Sequence, residues 1–359
     1  MQNVSGNVKN NVKGKPFSLL GRCIELCSAK PASIVFPDGE DSRAVEAAVR
    51  LQEEGLGDVL LLGNPFAVRG LLRSAMTKIG HVGSSINLRI LDPKSSTVLE
   101  KNTIEFMDIM RNNGKKITEE DARNFMSTGP GAAAMMVRRG EVEAGVGGNI
   151  SSTSDMIKAG LRVIGVKPGG KTISSFFFML APMASYDHRQ VLVFADCGVI
   201  PVPTEEQLVD IATDSADQFQ LMTGEKAKVA MLSFSTAGSA THARAKFVRD
   251  VVAKVRQARP DLLIDGELQF DAAMVPEVAQ QKMKNSPVAG EANVLVFPSL
   301  EAGNIGYKIA QRLGGYTAIG PLLQGLNGCW HDLSRGCSAE DMYQVSLIGA
   351  ALNRAQANK

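Results

Sequence analysis

The sequence predicts an α/β protein of two domains with mainly parallel sheets. Short apolar segments alternate with amphipathic helical patterns, which favours parallel strands joined by right-handed crossovers. Glycine-bearing loops follow the predicted strands, where ligands bind in open parallel sheets. A chain of 359 residues is long for a single hydrophobic core. The segment Lys-Pro-Gly-Gly-Lys at 167–171 would interrupt regular secondary structure and is the candidate domain junction.

In the first portion, a helical pattern over 17–27 precedes an apolar strand at 32–36. Pro37-Asp38-Gly39 ends that strand, and a helix with one apolar face starts at Ser42. Two glycines then break the helix. The other predicted elements are strands at 59–62, at 88–91 and ending at 145–149, and helices at 96–112, 118–126, 131–139 and from 151.

The second portion repeats the alternation. Thr204 and Gln207 form a capping-box pattern that starts a long helix, and Gly224 ends it. Further helices are predicted over 238–258, 301–313 and 339–352. The predicted strands are 173–180, 191–195, 229–234, 262–264 and 294–297.

Composition and motifs exclude several functions. The net charge of +2 does not suggest a nucleic-acid partner, and no apolar run is long enough to span a membrane. The five scattered cysteines predict free thiols and a cytoplasmic location, and the chain has no ligand spacing typical of a metal site. It contains neither G-x-G-x-x-G nor a P-loop, which disfavours dinucleotide and nucleoside-triphosphate chemistry. Residues 1–16 lack the apolar core of a signal peptide and are predicted to be a flexible tail.

The segment 332–341 gives the strongest indication of a functional site. It places the hydroxyl of Ser334, the guanidinium of Arg335 and the carboxylate of Asp341 around a glycine-bearing turn at a helix start. Helix starts bind anions, and arginine matches phosphate oxygens, so the segment predicts a phosphate-ester or acyl-phosphate site. The structural alternative is that Ser338 is the N-cap and Asp341 only caps it, which local sequence alone favours.

Several segments resemble the phosphate acetyltransferase (phosphotransacetylase) family. The resemblance covers about residues 30–355, in the family's order. The matching segments are 35–39, 148–153, 194–197, 230–236, 265–273, 297–308 and 334–336. Within 148–153 and 296–316 the sequence is most similar to the ethanolamine-utilisation branch of the family.

The resemblance implies an enzyme that catalyses acetyl-CoA + phosphate ⇌ CoA + acetyl phosphate, with CoA as a substrate and no metal or prosthetic group. It also implies a homodimer. Each chain would form two three-layer αβα domains, similar to isocitrate and isopropylmalate dehydrogenases, with the active site in the interdomain cleft. Domain I would comprise 17–165 and 320–359, and domain II would comprise 166–319.

The family's catalytic residues fall on Ser334, Arg335 and Asp341, and the last of these would be the base. Its phosphate-binding arginines fall on Arg111 and Lys158. The lysine departs from the family: it keeps the charge but loses the bidentate fork, and the alternative is an ordinary surface lysine.

Three further residues are candidate substrate contacts because their loops follow predicted strands. They are Ser235, Thr236 and Asn304. For the glycines of the same loops, a tight turn is the structural alternative.

Two other functions compete with acetyl transfer. One is a phosphate butyryltransferase-like acyltransferase, and the other is a non-catalytic, regulatory acyl-CoA-binding module. A decarboxylating dehydrogenase of the related fold is disfavoured, because the chain lacks that class's cluster of metal-binding aspartates. Ethanolamine-branch enzymes often work with bacterial microcompartments, so residues 1–16 are also a candidate packaging tag, although they lack an amphipathic pattern.

Overall fold

The computed structural model describes residues 17–79, 86, 88–182 and 189–357, and the predicted tail over 1–16 lies outside these ranges. The helices are α1 (Leu19–Ser28), α2 (Ser42–Glu53), α3 (Pro65–Ile79), α4 (Ser96–Asn112), α5 (Glu119–Met126), α6 (Gly129–Arg138), α7 (Thr153–Ala159), α8 (Glu205–Thr223), α9 (Ala243–Ala258), α10 (Phe270–Met274), α11 (Pro276–Lys282), α12 (Leu300–Arg312) and α13 (Ala339–Ala357). A π-helical segment, Gly160–Ile164, follows α7 directly. The strands are β1 (Ala32–Phe36), β2 (Gly57–Leu62), β3 (Arg89–Leu91), β4 (Ala144–Gly147), β5 (Ser174–Leu180), β6 (Val191–Ala195), β7 (Lys228–Leu232), β8 (Leu263–Leu268), β9 (Val294–Val296), β10 (Thr317–Gln324) and β11 (Cys329–Asp332).

The strands form two sheets, which confirms the predicted α/β class. The first has the order β11-β4-β1-β2-β3 and is parallel throughout. The second has the order β10-β5-β6-β9-β7-β8. In this second sheet β5 runs antiparallel to both of its neighbours, while β6, β9, β7 and β8 are mutually parallel.

Each sheet is the middle layer between two layers of helices. Successive side chains of a strand point to opposite faces. Thus Ile34 and Phe36 belong to one core, while Val35 belongs to another. Phe178 and Phe177 divide in the same way in the second sheet. The core that contains Ile34 also contains Phe178, so one continuous core packs against both sheets.

The chain passes between the sheets at two adjoining stretches. The amide of Lys167 donates to the carbonyl of Gly325 at 2.9 Å, and that of Asn327 donates to the carbonyl of Gly165 at 2.9 Å. Strand β10 stays in the second sheet as far as Gln324. The predicted boundary at residue 320, where the chain would rejoin domain I, therefore falls inside strand β10. The division into domains stays a prediction.

Helix α9 begins at Ala243, so the predicted start at 238 is wrong. The preceding loop is held by Glu267, whose Oε1 accepts the amide of Gly238 at 3.0 Å, and Gly238 has a φ of 77° that no α-helix allows. His242 caps the helix instead, since its ring accepts the amide of Arg244 at 3.1 Å.

Five elements were not predicted from the sequence, namely helices α3, α10 and α11 and strands β10 and β11. Within the described ranges, no helix is long and apolar enough to cross a membrane.

Candidate active site

The predicted site lies where three neighbouring strands of the first sheet end. Strands β11, β4 and β1 are adjacent and parallel, so their carboxyl ends share one edge. Past these ends, the amide of Leu333 donates to the carbonyl of Gly147 at 2.7 Å. Gly148 has a φ of 92°, and a Cβ on it would lie 2.2 Å from Asp332 Oδ1. The close approach of these two loops therefore requires glycine at this position.

Ser334 and Arg335 lie in a short turn between β11 and α13. The amide of Cys337 donates to the carbonyl of Ser334 at 2.9 Å, and that of Gly336 donates to Ser334 Oγ at 3.2 Å. Both Ser334 and Arg335 are exposed. No described residue forms a hydrogen bond or ion pair with the Arg335 guanidinium, which is therefore available to a ligand.

Asp341 forms the capping geometry that the local sequence favours. Its amide donates to Ser338 Oγ at 3.1 Å, and its Oδ2 accepts the Ser338 amide and hydroxyl, each at 2.8 Å. Its Oδ1 accepts nothing from the described part of the chain. The cap therefore uses one carboxylate oxygen of this half-buried residue and leaves the other for a ligand.

Asp38 follows β1 and occupies the loop after β4. Its Oδ2 accepts the amides of Gly148, Ile150 and Ser151 at 2.9, 3.1 and 3.0 Å, and its Oδ1 accepts the Ser151 hydroxyl at 2.5 Å. These amides would otherwise suit an anionic ligand. Because the protein's own carboxylate fills them, these three amides are not available to a ligand anion.

Asp332 and Asn149 are buried beside this loop. Asp332 is 5% exposed and Asn149 is 3% exposed, and the Oδ1 atom of each has no hydrogen-bond partner among the described residues. Burial raises the pKa of Asp332 to about 6; the Thr153 side chain opposes this rise, and the charge of Asp38 adds to it. Neither residue was predicted to have an individual role, although Asp332 lies only two positions before Ser334.

Arg111 and Lys158 lie on the surface, and each pairs with an aspartate of its own helix. Arg111 has a side chain that is 75% exposed, pairs with Asp108 at 3.0 Å, and lines a groove of about 270 Å³ between α4 and α5. Lys158 is 53% exposed in the last turn of α7, 4.0 Å from Asp155. Neither has a recorded hydrogen bond or ion pair to the segment 334–341, so both roles stay predictions.

The three remaining candidates have protein partners. The buried Ser235 hydroxyl donates to Glu267 Oε1 at 2.7 Å, and the Thr236 hydroxyl accepts the Gln269 amide at 2.9 Å. The side-chain amide of Asn304 donates to the carbonyl of Cys197 at 3.1 Å. These contacts fix the loops after β7, β8 and β6, and a role in substrate binding stays a prediction.

A larger cavity of about 670 Å³ lies at the other end of α13, lined in part by Lys167, Asp214, Gln324 and Asn353. No residue of the segment 334–341 lines it, so it is separate from the site described above. In the part of the chain that the structure describes, no group of three or more His, Cys, Asp or Glu side chains is placed to hold a metal ion.

The fold is shared with solved phosphotransacetylases. One from Streptococcus pyogenes matches with a TM-score of 0.84 and 40% identity, covering 93% of this chain and 98% of that one. EutD phosphotransacetylase from Staphylococcus aureus matches with a TM-score of 0.80 and 39% identity, with the same coverage. The shared α/β fold and the 39–40% identity with these enzymes identify the chain as an α/β acyltransferase.

The sequence model described as phosphate acetyl/butaryl transferase matches residues 18–350. A phosphate acetyltransferase from Thermoanaerobacterium thermosaccharolyticum is 40% identical over 330 residues, which are 92% of this chain and 97% of that protein. The chain belongs to the phosphate acetyl/butaryl transferase family, and this confirms the family predicted from the sequence. The likeness to EutD phosphotransacetylase agrees with the predicted closeness to the ethanolamine-utilisation branch.

Proposed function

We propose that the protein is a phosphate acetyltransferase, which transfers an acetyl group reversibly between CoA and inorganic phosphate. The observation that carries this proposal is the identity of about 40% with phosphate acetyltransferases over more than nine-tenths of the chain. The free guanidinium of Arg335 and the hydroxyl of Ser334 support it, because they suit a phosphate and a carbonyl oxygen respectively.

In the proposed mechanism, the thiol of CoA attacks the carbonyl carbon of acetyl phosphate. Asp341 accepts the thiol proton, the new C–S bond forms, and the C–O bond to phosphate breaks with its electron pair leaving on phosphate. Ser334 donates a hydrogen bond to the carbonyl oxygen as negative charge develops there. Arg335 holds the oxygens of the leaving phosphate. In the reverse direction phosphate attacks acetyl-CoA, and Asp341 returns the proton to the thiolate.

Complete proton transfer from a thiol to a carboxylate before attack is unfavourable in general, since free thiols are much weaker acids than free carboxylic acids. The two hydrogen bonds that Asp341 accepts from Ser338 both go to its Oδ2. Asp341 therefore acts as the sulfur attacks, with its unpartnered Oδ1 as the acceptor atom.

A thiol-release assay with acetyl-CoA and phosphate tests the proposal directly. Turnover that depends on both substrates supports it. Faster turnover with butyryl-CoA than with acetyl-CoA would instead favour the butyryltransferase, which the family description also covers. Binding of acetyl-CoA without any turnover would favour the regulatory module.

Replacing Lys158 by arginine tests the departure from the family. If Lys158 contacts phosphate, the restored fork should lower the KM for phosphate about three- to tenfold, since a bidentate pair is worth more than a point charge. The measurement is the KM for phosphate at saturating acetyl-CoA.

Lys246→Arg is the matched control for this change. Lys246 also lies exposed on a helix and pairs with a nearby aspartate, Asp250, at 2.6 Å. An unchanged KM in both variants would place Lys158 outside the site.

The proposal extends to a homodimer formed through α12. This helix exposes Ile305 and Ile309, which are 58% and 54% exposed, and its C-cap residue Leu313 is 84% exposed, so the three follow one another at intervals of four residues. Such spacing forms one apolar face, and a second copy of the chain is the occupant implied by the family resemblance.

Ile309→Glu is therefore expected to convert a particle of twice the chain mass into one of 38.3 kDa. Light scattering after gel filtration measures this mass. Ile104→Glu, at a residue 59% exposed on α4, is the control and should leave the dimer intact. A monomeric unmodified protein, or an Ile309→Glu variant of unchanged mass, would contradict this interface.

The physiological setting is also a proposal. The likeness to EutD phosphotransacetylase supports a role in ethanolamine catabolism, and the five free cysteines support a cytoplasmic location. Residence inside a bacterial microcompartment follows from that role. Co-purification with microcompartment shells from cells grown on ethanolamine would test it, and exclusive recovery in the shell-free fraction would contradict it.

A further inference from the structure

The side chain of Arg43 joins three loops at the carboxyl edge of the first sheet. It comes from the first turn of α2, and its Nε and Nη2 donate to the two carboxylate oxygens of Asp41 at 3.0 and 2.6 Å. Nη2 also donates to the carbonyl of Asn149 at 2.9 Å. Nη1 donates to the carbonyls of Arg335 at 2.7 Å and Cys337 at 2.9 Å. These five bonds match the five N–H donors of a guanidinium.

The two carbonyls held by Nη1 lie on either side of Gly336, in the turn that carries Ser334 and Arg335. Leu333 and Cys337 are buried on either side, but packing does little to fix the exposed residues 334–336 between them, because a Cβ built on Gly336 would meet only Ser334 Oγ, at 3.7 Å. The other bonds of the turn, from the amides of Gly336 and Cys337 to Ser334, are local. Arg43 therefore fixes the position of the turn relative to the loops after β1 and β4.

We infer that Arg43 is a positioning residue for acyl transfer, which holds the backbone of 334–337 so that Ser334 and Arg335 meet the substrate in a fixed geometry. This inference rests on the proposed function. The charge of Arg43 is not available to a ligand, because it is paired with the carboxylate of Asp41. Burial raises the pKa of Asp41, but the hydrogen bonds from Arg43 outweigh this effect and lower it. A displacement of reacting groups by about 1 Å can cost about a hundredfold in rate.

The chain contains a matched control in Arg354, at the far end of α13. Its Nε and Nη2 donate to the two carboxylate oxygens of Glu143 at 2.8 and 2.9 Å. It also donates to the backbone carbonyls of Leu26, Lys30 and Pro31 at 2.9, 2.6 and 3.1 Å. The two arginines therefore make the same set of bonds, but only Arg43 makes them to the turn beside β11.

The experiment compares Arg43→Lys with Arg354→Lys. Lysine keeps the charge but cannot bond three carbonyls and a carboxylate at once. In Arg43→Lys we expect kcat to fall about 10- to 100-fold, with the KM values for CoA and phosphate changed less than about threefold. In Arg354→Lys we expect a similar fall in the melting temperature, with kcat within about twofold of the unmodified enzyme. Guanidinium chloride at low concentration should restore part of the activity of Arg43→Ala but have no such effect on Arg354→Ala.

Amide hydrogen exchange adds a readout that does not need activity. Arg43→Lys should increase exchange at residues 335–338, while Arg354→Lys should leave these amides unchanged. Equal losses of kcat in the two lysine variants, or unchanged exchange at 335–338 in Arg43→Lys, would overturn the inference. Absence of turnover in the unmodified protein would instead count against the proposed function, and the exchange comparison would still decide the role of Arg43 in holding the turn.

Discussion

Asp341→Asn is expected to lower kcat by about 10²- to 10⁴-fold, the usual contribution of a general base. Asparagine is nearly isosteric and can still accept a hydrogen bond from Ser338, so the start of α13 should survive the change. It cannot accept the thiol proton. The measurement is kcat in both directions of the acetyl transfer, with the melting temperature recorded alongside.

Asp121→Asn is the control that separates capping from catalysis. Asp121 occupies the equivalent position in α5, where its carboxylate accepts the Thr118 hydroxyl at 2.7 Å and its amide donates to the same hydroxyl oxygen at 3.1 Å. This variant should lose a comparable amount of stability, about 1 kcal/mol, and keep full activity. Near-normal turnover of Asp341→Asn would leave Asp341 with the capping role alone.

Arg335→Gln is expected to raise the KM for phosphate about a hundredfold and the KM for CoA far less. The expected loss corresponds to about 3 kcal/mol, the worth of hydrogen bonds to a charged group. Among the described residues, the only other cationic side chain that contacts the turn is that of Arg43. Its N–H donors are already used by protein groups. Steady-state kinetics with each substrate varied in turn provides the measurement.

Arg244→Gln is the control for a general loss of surface charge. Arg244 is exposed at the start of α9 and its side chain has no recorded partner among the described residues. It should leave both KM values unchanged. If Arg335→Gln raised the two KM values equally, the guanidinium would not be the phosphate contact.

Local patterns predicted the parts of the fold that depend on local physics. The capping box of Thr204 and Gln207 forms as predicted at the start of α8, and Gly224 ends that helix in the left-handed conformation. Strand β11 was not predicted because it has only four residues and two of its buried residues, His331 and Asp332, are polar. The ring of His331 accepts the amide of Leu323 at 3.1 Å. The pairing of β11 with β4 is a long-range fact that no local pattern contains.

The same distinction applies to the candidate site. Ser334, Arg335 and Asp341 could be grouped from the sequence because they lie within eight positions of one another. The role of Arg43 could not be predicted, since its partners Asn149 and Arg335 lie 106 and 292 positions away. Asp38 was recognised only as part of a loop, because its bonds to the loop after β4 exist only once the strands are adjacent.

The two stretches that connect the sheets form a short antiparallel ribbon, with a bridge between Val166 and Leu326. Gly165 and Gly325 lie within this ribbon, with φ values of 83° and 89° that side-chain-bearing residues seldom adopt. A Cβ on Gly325 would lie 2.0 Å from the carbonyl oxygen of Thr172, so the close approach of the two stretches requires glycine there. Since β11 leads from this ribbon directly to Ser334, a side chain at either glycine would be expected to disturb the turn that carries the candidate site.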